Sequence, residues 1–579
     1  MGPLDDQLLL LEDALLQEEN SDLITGDGSL DFQGRPVLKS KTGNWRACLF
    51  ILGNEICERL AFYGVNTNLV SYLTRKLHEG NVSAARLVSI WSGTCYLTPL
   101  IGAFLADAYW GKYWTIAVFS MIHFLGMSTL TLSASVPVFR PAECEGSICP
   151  SATPSQYAIL FAGLYLVSLG MGGIKPCISS FGADQFDDTD PYEKIEKGSF
   201  FNWFYFSISI GCLLASTLIV WIQENVGWGI GFGIPALFMV VSIIFFFCGT
   251  PLYRFQRPGG SPLTRIFQVV VASLVKFNLE VPEDSSLLYE TSDTHSAIEG
   301  SRKLEHTEEM KFLDKAAVLS TADVKSEDFS NCWRLCTVTQ VEELKMLIRM
   351  VPIWATAIVF SSVYEQMSTT FIEQGMVMDR TVGPLLIPAA SLSTFSIISI
   401  IFWVPFYDKI LVPIAKKFTG KEKGFSELQR MGIGQVISII CMLAAGMVEI
   451  RRLQLAAEPG LAPPLSIFWQ IPQYFLMGAS EIFFYIGKME FFYDQSPDAM
   501  RSLCTAFSLL TSSLGSYLNS LVLTIVTAIT TAGGKPGWIP DNLDKGQLYN
   551  YFFLWAGLSF LNLLVYILCA MKYKKKMAS

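Results

Sequence analysis

The run Asn54-Glu55-Ile56-Cys57-Glu58-Arg59 places two carboxylates and one guanidinium in an otherwise apolar stretch. At spacings of three and four residues, Glu55, Glu58 and Arg59 lie on one face of a helix. Burial favours the protonated form of a carboxyl group and a neighbouring guanidinium favours the ionised form, so the spare acid can gain and lose a proton. The pattern indicates proton-coupling chemistry, and the alternative is a structural network of ion pairs between helices.

A single lysine, Lys175, follows a glycine-rich run and precedes Pro176 in another apolar stretch. Proline removes a backbone donor and bends a helix, so we expect Lys175 to lie at a break in the helix. There it would pair with Glu55 or Glu58, or bind an anionic group of a ligand. The alternative is a lysine whose long side chain extends to the water interface.

Further acids lie in apolar stretches of the second half of the chain, at Glu481 and in the pair Tyr364-Glu365. An acid at such a position can bind an ammonium group, and an ionisable residue in a membrane helix indicates function by default. The alternative for Glu481 is an ion pair with Lys488, which lies two helical turns further along on the same face.

Composition predicts the elements that position these charges. Of the 579 residues, 51% are hydrophobic and only 16% are charged, against about 25% charged residues in soluble domains. These values exclude a disordered protein, a collagen-like fibre and a small disulfide scaffold, and they indicate a polytopic membrane protein. A bilayer core about 30 Å thick requires about 20 apolar residues per helix. Twelve segments qualify: 47–75, 84–108, 112–136, 156–183, 198–222, 226–250, 342–371, 386–409, 430–450, 465–492, 501–530 and 547–571.

The twelve segments form two groups of six around a polar stretch, which predicts an all-α membrane protein with a 6+6 arrangement. The predicted regions are an acidic cytosolic tail (1–46), an N-terminal six-helix bundle (47–252), a cytosolic central linker (253–341), a C-terminal six-helix bundle (342–571) and a basic cytosolic tail (572–579). Lysines between segments eight and nine support this orientation. The orientation places the sequon at Asn81 and the pair Cys144 and Cys149 outside, where glycosylation and a disulfide are permitted, although both signals are weak.

The loop after the second segment contains Gly102, Asp107, Gly111 and Lys112 in the order G-x4-D-x3-G-K. Glycine permits close helix contact, and Asp107 can bind helix ends or cations at the cytosolic side. This motif and the 6+6 layout resemble the major facilitator superfamily of transporters. The alternative interpretation of the loop is an ordinary capped turn.

Further motifs narrow the resemblance. They are Glu55-x-x-Glu58-Arg59, Phe181-Gly-Ala-Asp184-Gln-Phe, Phe200-Phe-Asn-Trp-Phe-Tyr205, Trp469-Gln-Ile-Pro-Gln-Tyr474 and Glu490-Phe-Phe-Tyr-Asp-Gln-Ser-Pro-Asp-Ala-Met-Arg501. Over nearly the whole chain the sequence closely resembles the plant nitrate and peptide transporter family, part of the proton-dependent oligopeptide transporters. It is most similar to the di- and tripeptide transporter branch, which implies a green-plant source.

The resemblance implies roles for individual residues. Glu55, Glu58, Arg59 and Lys175 would couple protons, and Glu481 would receive the amino terminus of a peptide. The residues that would bind substrate are Arg59, Tyr63, Asn66, Tyr96, Lys175, Ser209, Tyr364, Glu365, Ser396 and Glu481.

Several positions depart from the family pattern and leave the substrate more open than the fold. Ser209 stands where Asn is usual, Ser396 where close plant relatives tend to have Asp, Glu365 where a small residue is expected, and Lys488 where Gln is expected. Tyr364 occupies the site where a nitrate-type member would have His, which weighs against nitrate.

We therefore predict a proton-coupled symporter of di- and tripeptides that works by alternating access, with nitrate, a plant hormone or a specialised metabolite as the alternative substrate. Protonation near Glu55 and Glu58 would release Arg59 or Lys175 to engage the substrate carboxylate, and the substrate would bridge Lys175 and Glu481. The four histidines form no catalytic or HExxH pattern, so no enzyme is predicted. The predicted partners are the substrate, protons and the lipid bilayer, with no cofactor, metal or nucleic acid.

The acidic tail contains Asp5-Asp6-Gln-Leu-Leu9-Leu10-Leu11, which has the spacing of an acidic dileucine signal. In plants this pattern can direct membrane proteins to the vacuole, and the alternative is a short amphipathic helix. The pattern favours the vacuolar membrane over the plasma membrane.

Overall fold

The computed structural model describes residues 24–573 with gaps at 27, 142–149, 188, 257–260, 285–286, 291–302, 321–330, 421–423, 458–463 and 498–500. The dileucine motif, the pair Cys144 and Cys149, and the lysines of the basic tail beyond 573 lie outside the described residues. The predictions made on them therefore stay predictions.

The described part of the chain is mostly helical. Before the central linker these are α1 (Asn44–Asn66), α2 (Leu69–Arg75), α3 (Asn81–Leu97), α4 (Pro99–Leu105), α5 (Gly111–Ser135), α6 (Pro154–Ala183), α7 (Pro191–Leu214), α8 (Val220–Asn225) and α9 (Trp228–Cys248). From the linker onward they are α10 (Pro262–Val275), α11 (Lys311–Asp314), α12 (Val338–Tyr364), α13 (Thr370–Met376), α14 (Thr394–Phe406), α15 (Val412–Thr419), α16 (Glu427–Ala456), α17 (Ile471–Glu481), α18 (Gly487–Gln495), α19 (Arg501–Thr530) and α20 (Leu548–Lys572). Two short antiparallel strands, β1 (Thr381–Val382) and β2 (Leu385–Leu386), form a hairpin.

Within the described ranges, nine helical runs are long and apolar enough to cross a bilayer. One of them, Asn81–Ser135, has 55 residues and contains the predicted segment 84–108 and all but the last residue of 112–136. Gly111 has a left-handed φ of 73° inside this run, which changes the direction of the chain between them. The prediction of an all-α membrane protein is confirmed, and each of the twelve predicted segments overlaps helical residues, although 386–409 begins in β2 and 47–75 is divided between α1 and α2. The number of crossings stays a prediction.

The helices pack into two compact units. Unit 1 consists of Met1–Thr67 and Leu105–Pro258, and unit 2 consists of Asn68–Phe104 and Gly259–Ser579. Each unit has its own aromatic core: Tyr113 stacks on Phe246 in unit 1 with ring centroids 5.1 Å apart, and Trp354 stacks on Phe507 in unit 2 at 4.5 Å. The domain boundaries predicted from the sequence stay a prediction.

Glycines bring α5 and α6 into close contact inside unit 1. A Cβ added at Gly170 would lie 2.5 Å from the Cβ of His123, and one added at Gly173 would lie 2.2 Å from the ring of Phe119. Both distances are shorter than a van der Waals contact, so a side chain at either position would push the helices apart. His123 of α5 therefore packs directly against the backbone of α6 at Gly170 and is completely buried.

The expected break of the helix at Pro176 is wrong. Pro176 lies inside α6, which continues as a helix to Ala183. A proline leaves one carbonyl of the preceding turn without its donor but does not end a helix whose packing continues on both sides. Phe181 belongs to the buried core of unit 1 and holds the last turns of α6 in place. Lys175 therefore projects from a continuous helix.

At one end of unit 1, Arg254 is completely buried and joins three parts of the chain. Its guanidinium donates to both carboxylate oxygens of Glu193, at 2.7 and 3.3 Å, and to the carbonyl of Thr42 at 2.9 Å. Gly43, with a φ of 67°, packs directly on the guanidinium, and a Cβ there would lie 2.2 Å from Nε of Arg254. The segment before α1 is thereby fixed to α7.

Asp187 makes a second attachment for the segment before α1. Its carboxylate accepts hydrogen bonds from the amide of Gly26 at 2.8 Å and from the amide and hydroxyl of Thr189, and Lys39 lies 3.4 Å away. Burial alone would raise the pKa of Asp187, but the bonds from Thr189 and Gly26 and the ammonium of Lys39 lower it to about 2. This attachment is therefore at full strength near neutral pH and is lost only as the pH falls from about 4 towards 2.

We expect Glu193→Ala to destabilise unit 1 strongly. Removing one partner of a buried ion pair leaves an uncompensated charge and costs about 3–5 kcal/mol. Thermal unfolding of the detergent-solubilised protein should show a clearly lowered midpoint, and Glu193→Ala combined with Arg254→Met should recover most of the loss. Equal midpoints for the single variant and the wild type would contradict this account.

Within unit 2, a charged cluster attaches the central linker to α12. Lys345 of α12 contacts Asp314 at 2.7 Å and Glu342 at 2.8 Å, and His306 lies 3.1 Å from Asp314. His306, Asp314 and Glu342 are close enough to hold a metal ion. The ammonium of Lys345 already pairs with both acids, so the group is best described as an ion-pair cluster that anchors the linker.

Candidate functional site

The cluster on α1 lies in the interior of unit 1. Glu55, Glu58 and Arg59 are 0%, 1% and 5% exposed. Nε of Arg59 lies 2.6 Å from Oε1 of Glu55 and 3.3 Å from Oε2 of Glu58. The predicted face is thus formed by the i, i+4 pair of Glu55 and Arg59, with Glu58 as the additional acid. One guanidinium serves two carboxylates, as the sequence analysis requires for a titratable site.

Neighbouring helices hold this cluster in a fixed position. The amide of Asn54 donates to the hydroxyl of Ser242 at 2.7 Å and to its carbonyl at 3.1 Å, which joins α1 to α9. Gly211 of α7 packs against Arg59, because a Cβ there would lie 2.7 Å from the Cβ of the arginine. Lys175 of α6 lies with its ammonium 5.3 Å from the ring centre of Phe62. This places a second cation in the part of unit 1 that contains the cluster.

His123 is a residue of this site that the sequence analysis missed. It is completely buried, and its Nδ1 lies 3.9 Å from Oε1 of Glu58. The prediction that the four histidines form no catalytic or HExxH pattern does not address a single histidine that binds a proton. The signal that would have found His123 is the one used for the acids, because an ionisable side chain lies inside the apolar segment 112–136.

In unit 2, Glu481 lies at the end of α17, directly before a π-helical turn over Ile482–Ile486. Such turns are frequent at functional sites. The hydroxyl of Tyr364 donates to Oε2 of Glu481 at 3.1 Å, which joins α12 to α17. Two predicted substrate-binding residues 117 positions apart are therefore in contact.

The contacts of Lys488 differ from the ion pair with Glu481 that the sequence offered as an alternative. Its ammonium donates to the hydroxyl of Thr511 at 2.9 Å and to the carbonyl of Ser508 at 3.3 Å, and it lies 4.6 Å from the ring centre of Tyr485. These neutral groups hold Lys488 against α19. The seven-residue spacing between Glu481 and Lys488 was therefore not sufficient to predict the partner of Lys488.

Glu365 begins a 3₁₀ turn, Glu365–Ser368, that interrupts the helical run after α12. Its side chain is buried and accepts hydrogen bonds at Oε2 from Ser516 at 3.0 Å and from Ser92 at 3.3 Å. These hydroxyls belong to α19 and α3. The acid therefore lies between three helices of unit 2, with hydroxyl groups as its hydrogen-bond partners.

The other predicted substrate-binding residues are distributed over both units. Tyr63 packs edge-on against Phe62 at 5.2 Å, and Asn66 is the last residue of α1. Ser209 donates to the carbonyl of Tyr205 at 3.1 Å and Ser396 to that of Ser393 at 2.7 Å, so both hydroxyls bond to their own chain segment. Tyr96 is half-buried on α3. Roles in binding stay predictions for all of them.

The loop motif is only partly explained by the structure. Lys112 pairs with Asp184 at 2.6 Å, which connects it to the motif that begins at Phe181. Gly111 supplies the left-handed turn, while Asp107 lies half-buried in a π-helical turn and Gly102 is buried in α4. The pairing of Lys112 with Asp184 joins this loop to the end of α6, and a conformational role of the motif stays a prediction.

Comparison with known proteins identifies the family. The family model described as POT family matches residues 113–539. The chain belongs to the POT family. It is 63% identical to the Arabidopsis thaliana protein NRT1/PTR family 8.3, with 100% of both chains covered, and 58% identical to NRT1/PTR family 8.5, with 99% of this chain and 98% of the relative covered.

Solved structures support the fold of this POT family member. The crystal structure of an auto-inhibited POT family peptide transporter is 24% identical, with a TM-score of 0.66 over 92% of this chain and 98% of that chain. The predicted membership of the nitrate and peptide transporter family is confirmed by the relatives that are 63% and 58% identical, and the fold is that of the solved POT family transporter. The family and fold are those of multi-pass membrane transporters rather than of enzymes.

Proposed function

We propose that this POT family member is a proton-coupled symporter of di- and tripeptides. The observation that carries the proposal is the cluster of Glu55, Glu58 and Arg59, in which two nearly inaccessible carboxylates share one guanidinium. A buried ion pair of one acid and one base has no net charge, so burial does not favour a change in its protonation. The second acid provides a group that can take up a proton without leaving an unpaired cation.

Proton binding would act through Arg59. When Glu58 is ionised, the guanidinium is shared between Glu58 and Glu55 at 3.3 and 2.6 Å. Protonation of Glu58 removes one of these attractions and leaves Arg59, together with Lys175, with excess positive charge. A carboxylate of the substrate compensates this charge, so proton and substrate binding favour each other.

The amino terminus of the substrate would bind Glu481. This acid has the hydroxyl of Tyr364 as a hydrogen-bond donor, and Lys488 is held by Thr511 and Ser508. An ammonium group next to Glu481 would complete an ion pair that the hydroxyl alone does not provide. An anionic substrate such as nitrate would be repelled at this position, which is why we favour a peptide over the alternative substrates.

Uptake by purified protein in proteoliposomes tests the proposal. An inwardly directed proton gradient should accumulate a labelled dipeptide, whereas liposomes without the gradient should only equilibrate it. Excess unlabelled dipeptide should compete and excess nitrate should not. Accumulation of nitrate instead of the dipeptide would overturn the peptide assignment, and equal uptake with and without the gradient would overturn proton coupling.

We propose the vacuolar membrane as the site of action, with the plasma membrane as the alternative. Leu9→Ala with Leu10→Ala removes the dileucine of the tail motif, and we expect a fluorescent fusion of this variant to move to the cell surface. The matched control, Leu15→Ala with Leu16→Ala, changes a second leucine pair of the same tail and should leave the location unchanged. An unchanged location of the first variant would contradict a sorting role.

A further inference from the structure

His123 is buried in a way that packing alone does not explain. It is 0% exposed, and neither ring nitrogen has a hydrogen-bond partner among the described residues. A buried polar group without a partner costs about 1–3 kcal/mol. Glu58, whose Oε1 lies 3.9 Å from Nδ1 of His123, likewise has no conventional hydrogen bond to its oxygens in the described part of the chain. Two groups able to exchange a proton thus face each other across a short gap.

The charges around His123 are balanced when its ring is neutral. Nδ1 of His123 lies 3.9 Å from Glu58, which shares Arg59 with Glu55, and Lys175 is the one Lys, Arg, Asp or Glu of α6, a helix packed on α5. With both acids ionised, these two anions and two cations sum to zero. α9, which also packs on α5, contains no acidic or basic side chain, and the π-helical turn before α5 carries Asp107, three turns of helix or more from His123 along the chain. A proton that enters this environment must therefore reside on one of the two carboxylates or on His123.

We propose that His123 is a proton-carrying residue that exchanges the coupled proton with Glu58; this inference rests on the proposed function. In the exchange, the N–H bond at Nδ1 breaks, an O–H bond forms at Oε1 of Glu58, and the imidazole becomes neutral with its remaining proton on Nε2. The reverse step restores the imidazolium beside an ionised Glu58. No other reactant is consumed, and the gap needs to shorten by only about 1 Å to reach hydrogen-bond distance.

This assignment separates proton entry from the release of Arg59. With the proton on His123, Glu58 remains ionised and keeps its share of the guanidinium at 3.3 Å. Only transfer to Glu58 weakens that pair and makes Arg59 available to the substrate. His123 would therefore be loaded first, and substrate binding would favour the transfer.

The test compares wild type, His123→Gln and the control Ser120→Ala in proteoliposomes. Ser120 lies about one turn away on α5, is also buried and has no hydrogen-bond partner among the described residues, but it cannot titrate. We expect His123→Gln to keep dipeptide exchange. Its gradient-driven uptake should need an external pH about one unit lower than that of the wild type, which is a tenfold higher proton concentration. Ser120→Ala should match the wild type.

The outcomes distinguish this inference from the proposed function. If His123→Gln responds to the gradient with the same pH profile as the wild type, the role of His123 is overturned. The proposed function is not affected by that outcome. A wild type without any response to the gradient overturns proton coupling and this inference together.

A second measurement does not require a change at His123. A chain with His78→Asn, His295→Gln and His306→Gln retains His123 as its single histidine, and ¹⁵N-histidine NMR then reports its protonation directly. We expect an imidazolium signal to appear over the pH range in which uptake rises. A ring that stays neutral throughout that range overturns the proposal even if His123→Gln fails to fold.

Discussion

Replacing Glu55 or Glu58 by Gln is expected to abolish proton-driven accumulation of dipeptide. Neither amide can titrate, so the pH gradient loses its connection to the substrate. For one proton per substrate, a gradient of one pH unit supports accumulation by about tenfold at steady state, and we expect this ratio to fall to about one in both variants. The measurement is the steady-state ratio of labelled dipeptide in proteoliposomes at equal protein content.

Exchange of dipeptide across the membrane controls for folding and binding in these variants, since exchange without net proton flow can persist. Glu280→Gln is the matched control, because it removes an exposed carboxylate in the linker and should accumulate dipeptide as the wild type does. Gradient-driven accumulation that survives in both Glu55→Gln and Glu58→Gln at normal expression would show that the coupling site lies elsewhere.

Acetylation of the substrate amino group is expected to weaken binding by about tenfold or more, since a charge-assisted hydrogen bond contributes about 1.5–3 kcal/mol. The ammonium of a peptide can bind Glu481, whereas the acetylated amide has no charge. Glu481→Gln should weaken binding of the free dipeptide and largely remove the difference between the two forms. Competition against uptake of a labelled dipeptide measures both effects.

Glu365 complicates this test because a second acid in unit 2 could bind the ammonium when Glu481 is lost. Its contacts with Ser516 and Ser92 place it among hydroxyl groups rather than basic side chains. The double variant Glu481→Gln with Glu365→Gln is therefore the cleaner comparison. Equal competition by free and acetylated dipeptides in the wild type would show that the ammonium is not recognised, and the alternative substrates would then become the better hypothesis.

Local spacing predicted those features that depend on a single helix. The i, i+4 relation of Glu55 and Arg59 was sufficient to predict their contact, and the apolar lengths were sufficient to predict the helices. The same reasoning did not decide the partner of Lys488, because its contact with Thr511 on α19 depends on packing between helices. It also failed at Pro176, where tertiary packing keeps α6 continuous.

Contacts between distant segments were beyond the reach of sequence patterns. The bond between Tyr364 and Glu481 joins α12 to α17, and no periodicity relates these positions. His123 was different, because its position in an apolar segment was visible in the sequence and only its proximity to Glu58 required the structure. A search for every ionisable side chain in the apolar segments would have identified it.

The central claim is that proton and dipeptide move together, and proton flux caused by the dipeptide tests it most directly. Proteoliposomes contain a pH-sensitive dye, the pH is equal on both sides, and the membrane potential is clamped. Addition of dipeptide outside should acidify the lumen in the wild type and leave it unchanged in Glu58→Gln. Uptake of the labelled dipeptide by the wild type without acidification of the lumen would contradict the account.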